Sequence, residues 1–367
     1  MRLIIILLTF IHAFIHLFGF FKAFGIAEMK ELSLPVSRPM GVLWLVAFLM
    51  LLFTAVAYWL RFSHWWIVGI AAVALSQFLV IFFWSDARWG TLPNVIILLA
   101  AVMAFSGHAF SQTIRSEREA MAGRVKPFRN QEITQEELDN LPGPVKKWLA
   151  AAGVEAGTEK INTVRLKQKA RLKLKPEQND WYDAEAEQFF TVNPPAFSWT
   201  VNLKMFPLAR IKGRDKFTGG AGEMQIKMNS LINIVKATGD KIDEGSLQRF
   251  LGEIVWFPTA AIHPGIRWEP VDSLTARATL TVGGTKGSGT FFFSETGDLK
   301  KFTALRYKGN EAGAERHQWI ITVKETKEIN GLRIPVKLES TWILEEGPWT
   351  WLDMEITRIV YHPALPG

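Results

Sequence analysis

The sequence predicts a multi-domain α + β protein in which an N-terminal four-helix transmembrane bundle is followed by a large, curved antiparallel β-sheet with a lid helix. The first observation is uneven charge: residues 1–112 carry only nine charged side chains, whereas the other 255 carry 36 basic and 32 acidic ones. The second is a set of four apolar stretches in the first third, each near the ~20 residues that cross a bilayer as a helix. The third is a change of hydrophobic period from helical to two at about residue 160, with no alternation of strands and helices afterwards.

The composition excludes several classes of protein. Apolar residues make up 49% of the 367 residues, and 26 Phe and 15 Trp require burial or a membrane, which excludes a disordered chain. The absence of cysteine excludes disulfides, thiolate zinc sites, iron–sulfur clusters and cysteine catalysis.

The four predicted spans are 3–25, 41–60, 66–84 and 92–109. Because the connections between them are short and polar, the spans should form an antiparallel bundle that makes up a domain over 1–112. A cleaved signal peptide is rejected for the first span, since its apolar run is too long and no small-residue cleavage site precedes Lys22.

Basic residues near the span ends predict the orientation. Arg2, Arg61 and the basic run between 115 and 129 lie on one side, and Lys30, Arg38 and Arg88 lie on the other. The positive-inside rule then places both termini in the cytoplasm and makes membrane lipids the expected partners.

Histidines are the most notable polar residues of the predicted spans. His12 and His16 are four residues apart and share a helix face, and His108 lies in the fourth span, where it could approach His12 across the bundle. Such imidazoles suit a b-type haem, a proton relay or a metal site. The alternative is that each histidine bonds a carbonyl of a neighbouring helix or faces the interface.

A second polar group precedes the fourth span. Asp86 and Arg88 are predicted to pair at the outer interface, either as part of a capped helical hairpin or as an entry point for a lipid head group or a quinone.

The stretches IHLFGFFKAFG (15–25) and SDARWGTLPN (85–94), set in four spans, resemble the DoxX-like group of small bacterial membrane proteins. This resemblance implies a multi-pass protein of the bacterial cytoplasmic membrane. Because some members of that group are linked to quinone-dependent respiratory complexes, it also implies a redox-adjacent role.

Between the spans and the sheet, residues 113–133 are charged and aperiodic and are predicted to be a juxtamembrane linker. Two short helices should follow over about 134–153, because Thr134 and Glu137 form a capping box, Pro144 suits a helix start and Gly153 a helix end. The domain that begins at 134 is predicted to continue to 367.

The first strand of the predicted sheet has a wholly basic face. Its cations, from Arg165 to Lys175, alternate with apolar and amide residues, and Asp183, Glu185 and Glu187 follow after a turn, also at period two. An antiparallel hairpin would place these carboxylates beside the basic residues, so cross-strand ion pairs are favoured over contact with an anionic membrane. Nucleic-acid binding is not expected, because the basic face lacks interleaved aromatic residues.

About a dozen strand candidates follow one another up to residue 360, and none is assigned between the lid helix and 275. The lid helix is predicted at 243–255, where Leu247, Phe250, Leu251, Ile254 and Val255 share one face. A sheet of this size should curl, and the helix should lie across its concave side. The space between them is either filled by side chains, which makes the domain a scaffold, or open as an apolar cavity.

The stretches LPGPVKKWL (141–149), EGSLQRFLGEIVWFPTA (244–260) and GLRIPVKLESTW (331–342) are three of six that resemble a bacterial family of unknown function over about 141–345. The layout is similar to the half-barrel with a helical lid of lipoprotein-localisation carriers, which implies a hydrophobic cavity. The candidate ligand-binding residues are Trp199, Arg214, Phe250, Glu253, Trp256, Trp268 and Trp319.

No phosphate-binding loop, nucleophile elbow or metalloprotease motif occurs, so whether the protein is an enzyme stays open. Glu253 is the one weak catalytic candidate, because a buried carboxylate can act as a base. The alternative is a salt bridge to Arg249 or Arg214, and Arg214 with Asp215 is expected to form a paired turn. No metal is expected.

Three hypotheses follow. The leading one is a membrane protein whose β domain binds a lipid or another hydrophobic small molecule next to the bilayer. The alternative is a membrane redox enzyme or accessory subunit that uses haem or quinone in the four-helix domain. The third is an interaction module with a filled core.

Overall fold

The computed structural model describes residues 2–30, 32–206 and 209–363. The chain divides into two compact units: Met1–Gln112 with Asn229–Leu231, here called the helical unit, and Thr113–Met228 with Ile232–Gly367, here called the β unit. The last residues of the predicted 134–367 domain, 364–367, lie outside the described residues.

Four helical segments are long and apolar enough to cross a membrane: Arg2–Phe24, Arg38–Trp59, Trp65–Phe82 and Trp84–Ala122. The first three are α1, α2 and α3. The fourth consists of α4 (Trp84–Ala87), a 3-10 turn (Arg88–Gly90) and α5 (Thr91–Ala122). Small residues let α1 and α2 approach closely, since a Cβ on Gly19 would lie 2.2 Å from the Trp44 ring.

The predicted linker at 113–133 is partly wrong, because α5 continues to Ala122. Within the β unit, this last part of α5 packs on the outer face of the sheet. Met121 is buried there with Phe189, and the Arg118 guanidinium lies 2.7 Å from a Glu187 carboxylate oxygen. These contacts with strand residues keep the segment helical, and charge periodicity alone did not reveal them.

The two short helices before the sheet are confirmed as α6 (Gln135–Asp139) and α7 (Gly143–Ala151). The Thr134 hydroxyl accepts a hydrogen bond from the Glu137 backbone N–H at 3.2 Å, and the Glu137 carboxylate accepts from the Thr134 N–H at 2.9 Å. This reciprocal pair is the capping box that the sequence predicts.

Thirteen antiparallel strands form one sheet. The first six are β1 (Thr163–Leu172), β2 (Tyr182–Thr191), β3 (Ala196–Phe206), β4 (Ala209–Thr218), β5 (Ala221–Met228) and β6 (Ile232–Thr238). The other seven are β7 (Ile266–Pro270), β8 (Thr275–Val282), β9 (Thr285–Phe293), β10 (Leu299–Tyr307), β11 (Arg316–Ile329), β12 (Leu332–Leu344) and β13 (Gly347–Tyr361).

In the sheet, the strands form two meanders, β1 to β6 and β7 to β13, which meet where β1 pairs with β13. β1 pairs with β13 in the middle, the first meander runs outward to β6, and the second runs outward to β7. The two edge strands are therefore consecutive in the chain, and helix α8 (Asp240–Glu253) lies in the connection between them.

The sheet curls into a half-barrel until turns from its two halves touch. The Thr285 hydroxyl donates a hydrogen bond to the Gly220 carbonyl oxygen at 2.7 Å. Gly283 has φ +56°, and a Cβ there would lie 2.1 Å from the Gly219 carbonyl oxygen. Only glycine accommodates both this backbone conformation and this approach.

Strand β7 was not predicted. It has five residues and ends at Pro270, and Arg267 and Glu269 on it are exposed. So short a run gives period-two analysis too little apolar pattern to detect. The pairing of β7 with β8 decides that it is a strand.

The predicted basic hairpin is confirmed. Lys167 pairs with Glu187, Lys169 with Glu185 and Arg171 with Asp183 across β1 and β2. Strand β13 on the other side of β1 adds Asp353, which pairs with the Arg171 guanidinium. The basic face is thus compensated from both neighbouring strands, as the ion-pair interpretation requires.

Helix α8 lies against strands of both meanders. The Asp243 carboxylate accepts from the Gly222 N–H of β5 at 2.7 Å, and the Gln248 amide donates to the Leu305 carbonyl oxygen of β10 at 2.9 Å. All five residues of the predicted apolar face are buried. The helix begins three residues before the predicted position, and its last two predicted residues, Ile254 and Val255, belong to a 3-10 helix, Ile254–Trp256.

Candidate functional site

The β unit contains a cavity of about 340 Å³ between α8 and the concave face of the sheet. Its walls are mainly aromatic and aliphatic, with side chains from β3, β11, β12 and β13. The large apolar wall residues are Phe197, Trp199, Trp256, Trp319, Ile321, Leu338, Trp342, Trp349, Trp351, Leu352 and Met354. The volume falls within the range of roughly 300–1,000 Å³ that small-molecule sites occupy.

The interior beneath α8 is open in one part and filled in another. Phe190, Phe250, Phe257 and Phe302 are each at most 1% exposed and belong to one continuous core. The Phe190 and Phe257 rings are 4.8 Å apart between centroids. The sequence left a filled core and a cavity as alternatives, and the structure contains both.

An ion-pair network of one buried and two partly buried side chains forms one side of the cavity. The Arg249 guanidinium of α8 donates to the Asp215 carboxylate of β4 at 2.8 Å and to the Glu253 carboxylate at 2.8 Å. The guanidinium also lies 4.6 Å from the centroid of the Trp199 ring. Burial raises the pKa of both carboxyls, and the Arg249 charge opposes that rise.

Both carboxylate oxygens of Glu253 accept hydrogen bonds from protein side chains. One Glu253 oxygen bonds Arg249, and the other accepts a hydrogen bond from the Gln188 side-chain amide at 2.7 Å. The Gln168 side-chain oxygen accepts a hydrogen bond from the Trp199 indole N–H at 3.0 Å. Since protein donors occupy both carboxylate oxygens, the geometry favours a structural salt bridge. The predicted partner Arg249 is confirmed, and Arg214 is not a partner.

Arg306 of β10 is the second arginine of the cavity. Its guanidinium lies 4.1 Å from the Trp319 ring centroid and 5.7 Å from that of Trp342. Among the described residues it forms no ion pair, and its buried Nε has no hydrogen-bond acceptor. Burial is the main cause that lowers the pKa of Arg306 to about 9, and repulsion from the Arg249 charge is the second. The guanidinium therefore remains charged at neutral pH.

Several other donors around the cavity lack a partner among the described residues. The indole N–H groups of Trp256, Trp319, Trp349 and Trp351 are buried without an acceptor. All four side chains line the cavity. An apolar wall that carries unpaired donors is unusual, because most buried polar groups in proteins are hydrogen-bonded.

The structure brings together some of the predicted ligand-binding residues and separates others. Trp199, Glu253, Trp256 and Trp319 line the cavity. Phe250 lies in the filled core at 1% exposure. Trp268 packs against Trp148 and Phe291 instead, and its indole donates to the Ala261 carbonyl oxygen.

Arg214 is not a cavity residue, and Arg214-Asp215 is not a turn. Both lie within β4, so their side chains project to opposite faces of the sheet. Arg214 faces the outer side, where it pairs with Glu117 of α5 at 2.5 Å and with Glu223. Its neighbour Asp215 is the residue that faces the cavity.

Sequence reasoning missed Asp215 and Arg306 as cavity residues. Asp215 was detectable in principle, because it alternates with Phe217 on the same face of a predicted strand. Arg306 has no such signal, since a cation near the end of a strand is ordinarily solvent-exposed. Arg306 lines the cavity only because α8, Trp319 and Trp342 pack beside it in the folded β unit.

The helical unit has a buried polar network of its own. The His12 Nε2 lies 2.9 Å from the Asn94 side-chain oxygen and 3.2 Å from the Ser76 hydroxyl. Asn94 in turn donates to Gln77 at 3.0 Å. The rings of His12 and His16 are 4.7 Å apart, which confirms that they share a face, and the His16 Nε2 is buried without a partner among the described residues.

The predicted approach of His12 to His108 and the predicted pairing of Asp86 with Arg88 are wrong. The His108 ring lies 4.8 Å from that of His64 in the loop between α2 and α3. Asp86 instead accepts from the Ser33 N–H and hydroxyl, both at 2.7 Å. Arg88 lies over the Trp89 ring. In the ranges that the structure describes, no three His, Asp or Glu side chains group as a metal site.

The fold and cavity define a class of protein, a lidded antiparallel half-barrel with an internal cavity. The chain belongs to a family of unknown function (DUF6544), whose profile matches residues 131–354. This match confirms the predicted membership of the C-terminal part in such a family. No curated protein matches the chain.

Two solved structures show likeness to the β unit. A LolA superfamily protein from Nitrosomonas europaea is 11% identical, with a TM-score of 0.30, and the match covers 64% of this chain and 96% of that one. A β-barrel-like protein of a domain of unknown function (DUF1849) from Brucella abortus is 8% identical, with a TM-score of 0.20, and the match covers 56% and 99%.

Proposed function

We propose that the β unit binds a lipid or a similar hydrophobic molecule in the cavity beneath α8. The observation that carries this proposal is the cavity itself, about 340 Å³ of space walled by tryptophans and aliphatic side chains. Protein interiors leave few voids larger than a water molecule, and concave apolar spaces of this size are typical of small-molecule sites.

Helix α8 is the element that gates such a site. It lies in the connection between the two edge strands, and Lys241, Gly245 and Arg249 are among its residues that line the cavity. Its contacts with the sheet are a few polar bonds and an apolar face, which can separate without breaking the strand ladder. Movement of α8 away from the sheet would open a route for the ligand.

The four apolar helical segments would supply the membrane from which the ligand comes. We propose that they cross the bacterial cytoplasmic membrane with both termini in the cytoplasm, as the basic residues at their ends predict. Membrane lipids are then available to the β unit, and no separate carrier is needed.

The test is lipid retention by the full chain purified in detergent. Mass spectrometry of the extracted material should find about one lipid per protein after extensive washing. Ser340→Phe should abolish this retention, because Ser340 lines the cavity and a phenyl ring would occupy it. Thr341→Phe is the matched control, since the next residue of β12 projects to the other face.

Equal retention by wild type and Ser340→Phe would contradict the proposal. The thermal melting temperatures of both variants establish that they are folded.

A second candidate function concerns the helical unit. Among the described residues, the His16 Nε2 has no hydrogen-bond partner, and it lies beside the network around His12. These groups would suit a quinone, which accepts a hydrogen bond, or a haem, which takes an axial ligand. A visible spectrum of protein expressed with added haem tests the haem version, and absence of a Soret band rejects it.

A further inference from the structure

We propose that the cavity binds an amphiphile with an anionic head group, a carboxylate or a phosphate, which contacts the Arg306 guanidinium while the apolar chain lies against the tryptophans. This inference rests on the proposed function and adds the chemical class of the ligand.

The first argument is the distribution of charge around the cavity. Every carboxylate that lines it already has a cationic partner. Asp215 and Glu253 pair with Arg249, Glu223 with Arg214 and Lys216, and Glu339 with Lys324. Asp215 and Glu253 share the single charge of Arg249, and the Arg306 charge acts on both carboxylates from beyond ion-pair distance. Among the described lining residues none accepts a hydrogen bond from Arg306, so its donors stay available to the head group of a ligand.

The second argument is the position of Arg306. The faces of Trp319 and Trp342 hold its guanidinium by cation–π contact and leave its hydrogen-bonding edge unused. A glycine lies opposite on α8, where a Cβ at Gly245 would be 3.2 Å from the Arg306 Nη2. A guanidinium held in this way presents donors in the fork geometry that matches a carboxylate or a phosphate.

The third argument is the surplus of hydrogen-bond donors. Four indole N–H groups of the cavity wall and the Arg306 Nε have no acceptor among the described residues. A pure hydrocarbon would leave all of them unpaired, which is costly in a buried site. The oxygens of an acid or ester group can satisfy several of them.

Two lysines add positive charge beside the same cavity. Lys241 of α8 and Lys308, which follows β10, both contribute to its lining, and Lys308 is exposed to solvent. These lysines would attract an anionic head group that enters beside them, while the lining as a whole carries equal numbers of acidic and basic side chains.

Quenching of tryptophan fluorescence by brominated ligands tests the inference on the full chain in detergent. The probes are 9,10-dibromostearate, the corresponding dibromostearyl alcohol, and a phosphatidic acid with brominated chains. We expect the wild type to bind at least one anionic probe about tenfold more tightly than the alcohol. The anion that binds more tightly shows whether the head group is a carboxylate or a phosphate.

Arg306→Gln should lose most of this preference, with an affinity for the favoured anion about tenfold lower and an affinity for the alcohol within about threefold of the wild type. Arg306→Lys should restore part of it, since it keeps the charge. Arg267→Gln is the matched control, because Arg267 is an exposed arginine outside the cavity.

The outcomes separate the two proposals. If no probe quenches the wild type, cavity binding itself fails, and the inference fails with it. If acid, phosphate and alcohol bind equally, or if Arg306→Gln keeps the full preference, the lipid site stands and the anionic head group is rejected. The comparison of probes on the wild type needs no variant, so misfolding of Arg306→Gln does not leave the inference undecided.

Discussion

At the scale of single residues, the β unit depends on charges held inside a protein core. Arg249 is 15% exposed and is the only cation within 4 Å of either Asp215 or Glu253 among the described residues. A buried ion pair need not stabilise a fold relative to apolar residues, but removal of one partner leaves the other charge uncompensated.

We predict that Arg249→Met lowers the free energy of unfolding by about 3 kcal/mol, because the buried Glu253 and the partly buried Asp215 then lose their ion-pair partner. Thermal or denaturant unfolding of the full chain measures it. Arg267→Met, which removes an exposed arginine, should change stability by no more than about 0.5 kcal/mol. A similar small effect at Arg249 would show that its ion pairs are not structural.

The same variant should also show a dependence on pH. Without Arg249, the pKa values of Asp215 and Glu253 should rise further, since burial already raises them and the opposing charge is gone. A carboxyl whose pKa is raised in the folded state stabilises the fold at low pH and loses that contribution as the pH rises. The deficit of Arg249→Met should thus be larger at pH 8 than at pH 5.

His263 supplies a separate acid-sensitive group. Burial lowers its pKa from 6.5 to about 4, and its Nδ1 accepts a hydrogen bond from the Gly265 N–H at 3.0 Å. A histidine whose pKa is lowered in the folded state contributes its full stabilisation of the fold above pH 6.5. That contribution is lost as the pH falls towards 4. His263→Asn should therefore flatten the decline of stability over pH 6.5–4.

Equilibrium unfolding at several pH values checks the prediction for His263. His362→Asn is the control, because His362 is exposed and asparagine also suits its positive φ of 47°. An unchanged acid decline in His263→Asn would assign the acid sensitivity to other groups.

At the scale of elements, glycines set how closely α8 and the strands approach one another. A Cβ on Gly252 of α8 would lie 2.8 Å from the Phe302 ring, and one on Gly289 of β9 would lie 2.1 Å from it. Phe302 has little room to move, since its ring is 4.8 Å from that of Phe291. The core beneath α8 is therefore packed tightly around the Phe302 ring.

We predict that Gly289→Ala destabilises the protein by about 1–3 kcal/mol, the usual cost of overpacking a core. The melting temperature of the full chain measures it. Gly313→Ala should have little effect, because nothing lies within 4 Å of a Cβ at that position. If both variants melt alike, the packing around Phe302 is looser than these distances imply.

At the scale of the whole molecule, the prediction concerns membrane topology. The chain contains no cysteine, so a single introduced cysteine reports one position without background. Ser37 and Ser63 are exposed and lie in successive connections between the apolar helices. In intact spheroplasts, a membrane-impermeant maleimide should label Ser37→Cys and should leave Ser63→Cys unlabelled until the cells are lysed.

Labelling of Ser63→Cys before lysis, with Ser37→Cys protected, would reverse the proposed orientation. Equal labelling of both before lysis would contradict the proposed arrangement of the spans.

The sequence by itself determined the order and type of nearly every element. Period-two alternation located twelve of the thirteen strands, the capping box located α6, and the apolar face of the lid helix was identified residue by residue. These features are local, because hydrophobic period and capping depend on residues a few positions apart. The basic hairpin was also predictable, since cations and carboxylates alternate at period two on two strands that follow one another in the chain.

Only the tertiary structure decided which of these residues share a site. Asp215 of β4 and Arg306 of β10 lie on opposite meanders of the sheet. They line one cavity with Arg249 because α8, which carries Arg249, connects the two edge strands and packs across the concave face. Arg214 and Asp215 are adjacent in sequence, yet β4 turns one outward and the other into the cavity. Long-range packing of this kind leaves no periodic trace in the chain, because it depends on how far a curved sheet closes and on which side chains are small enough to permit that approach.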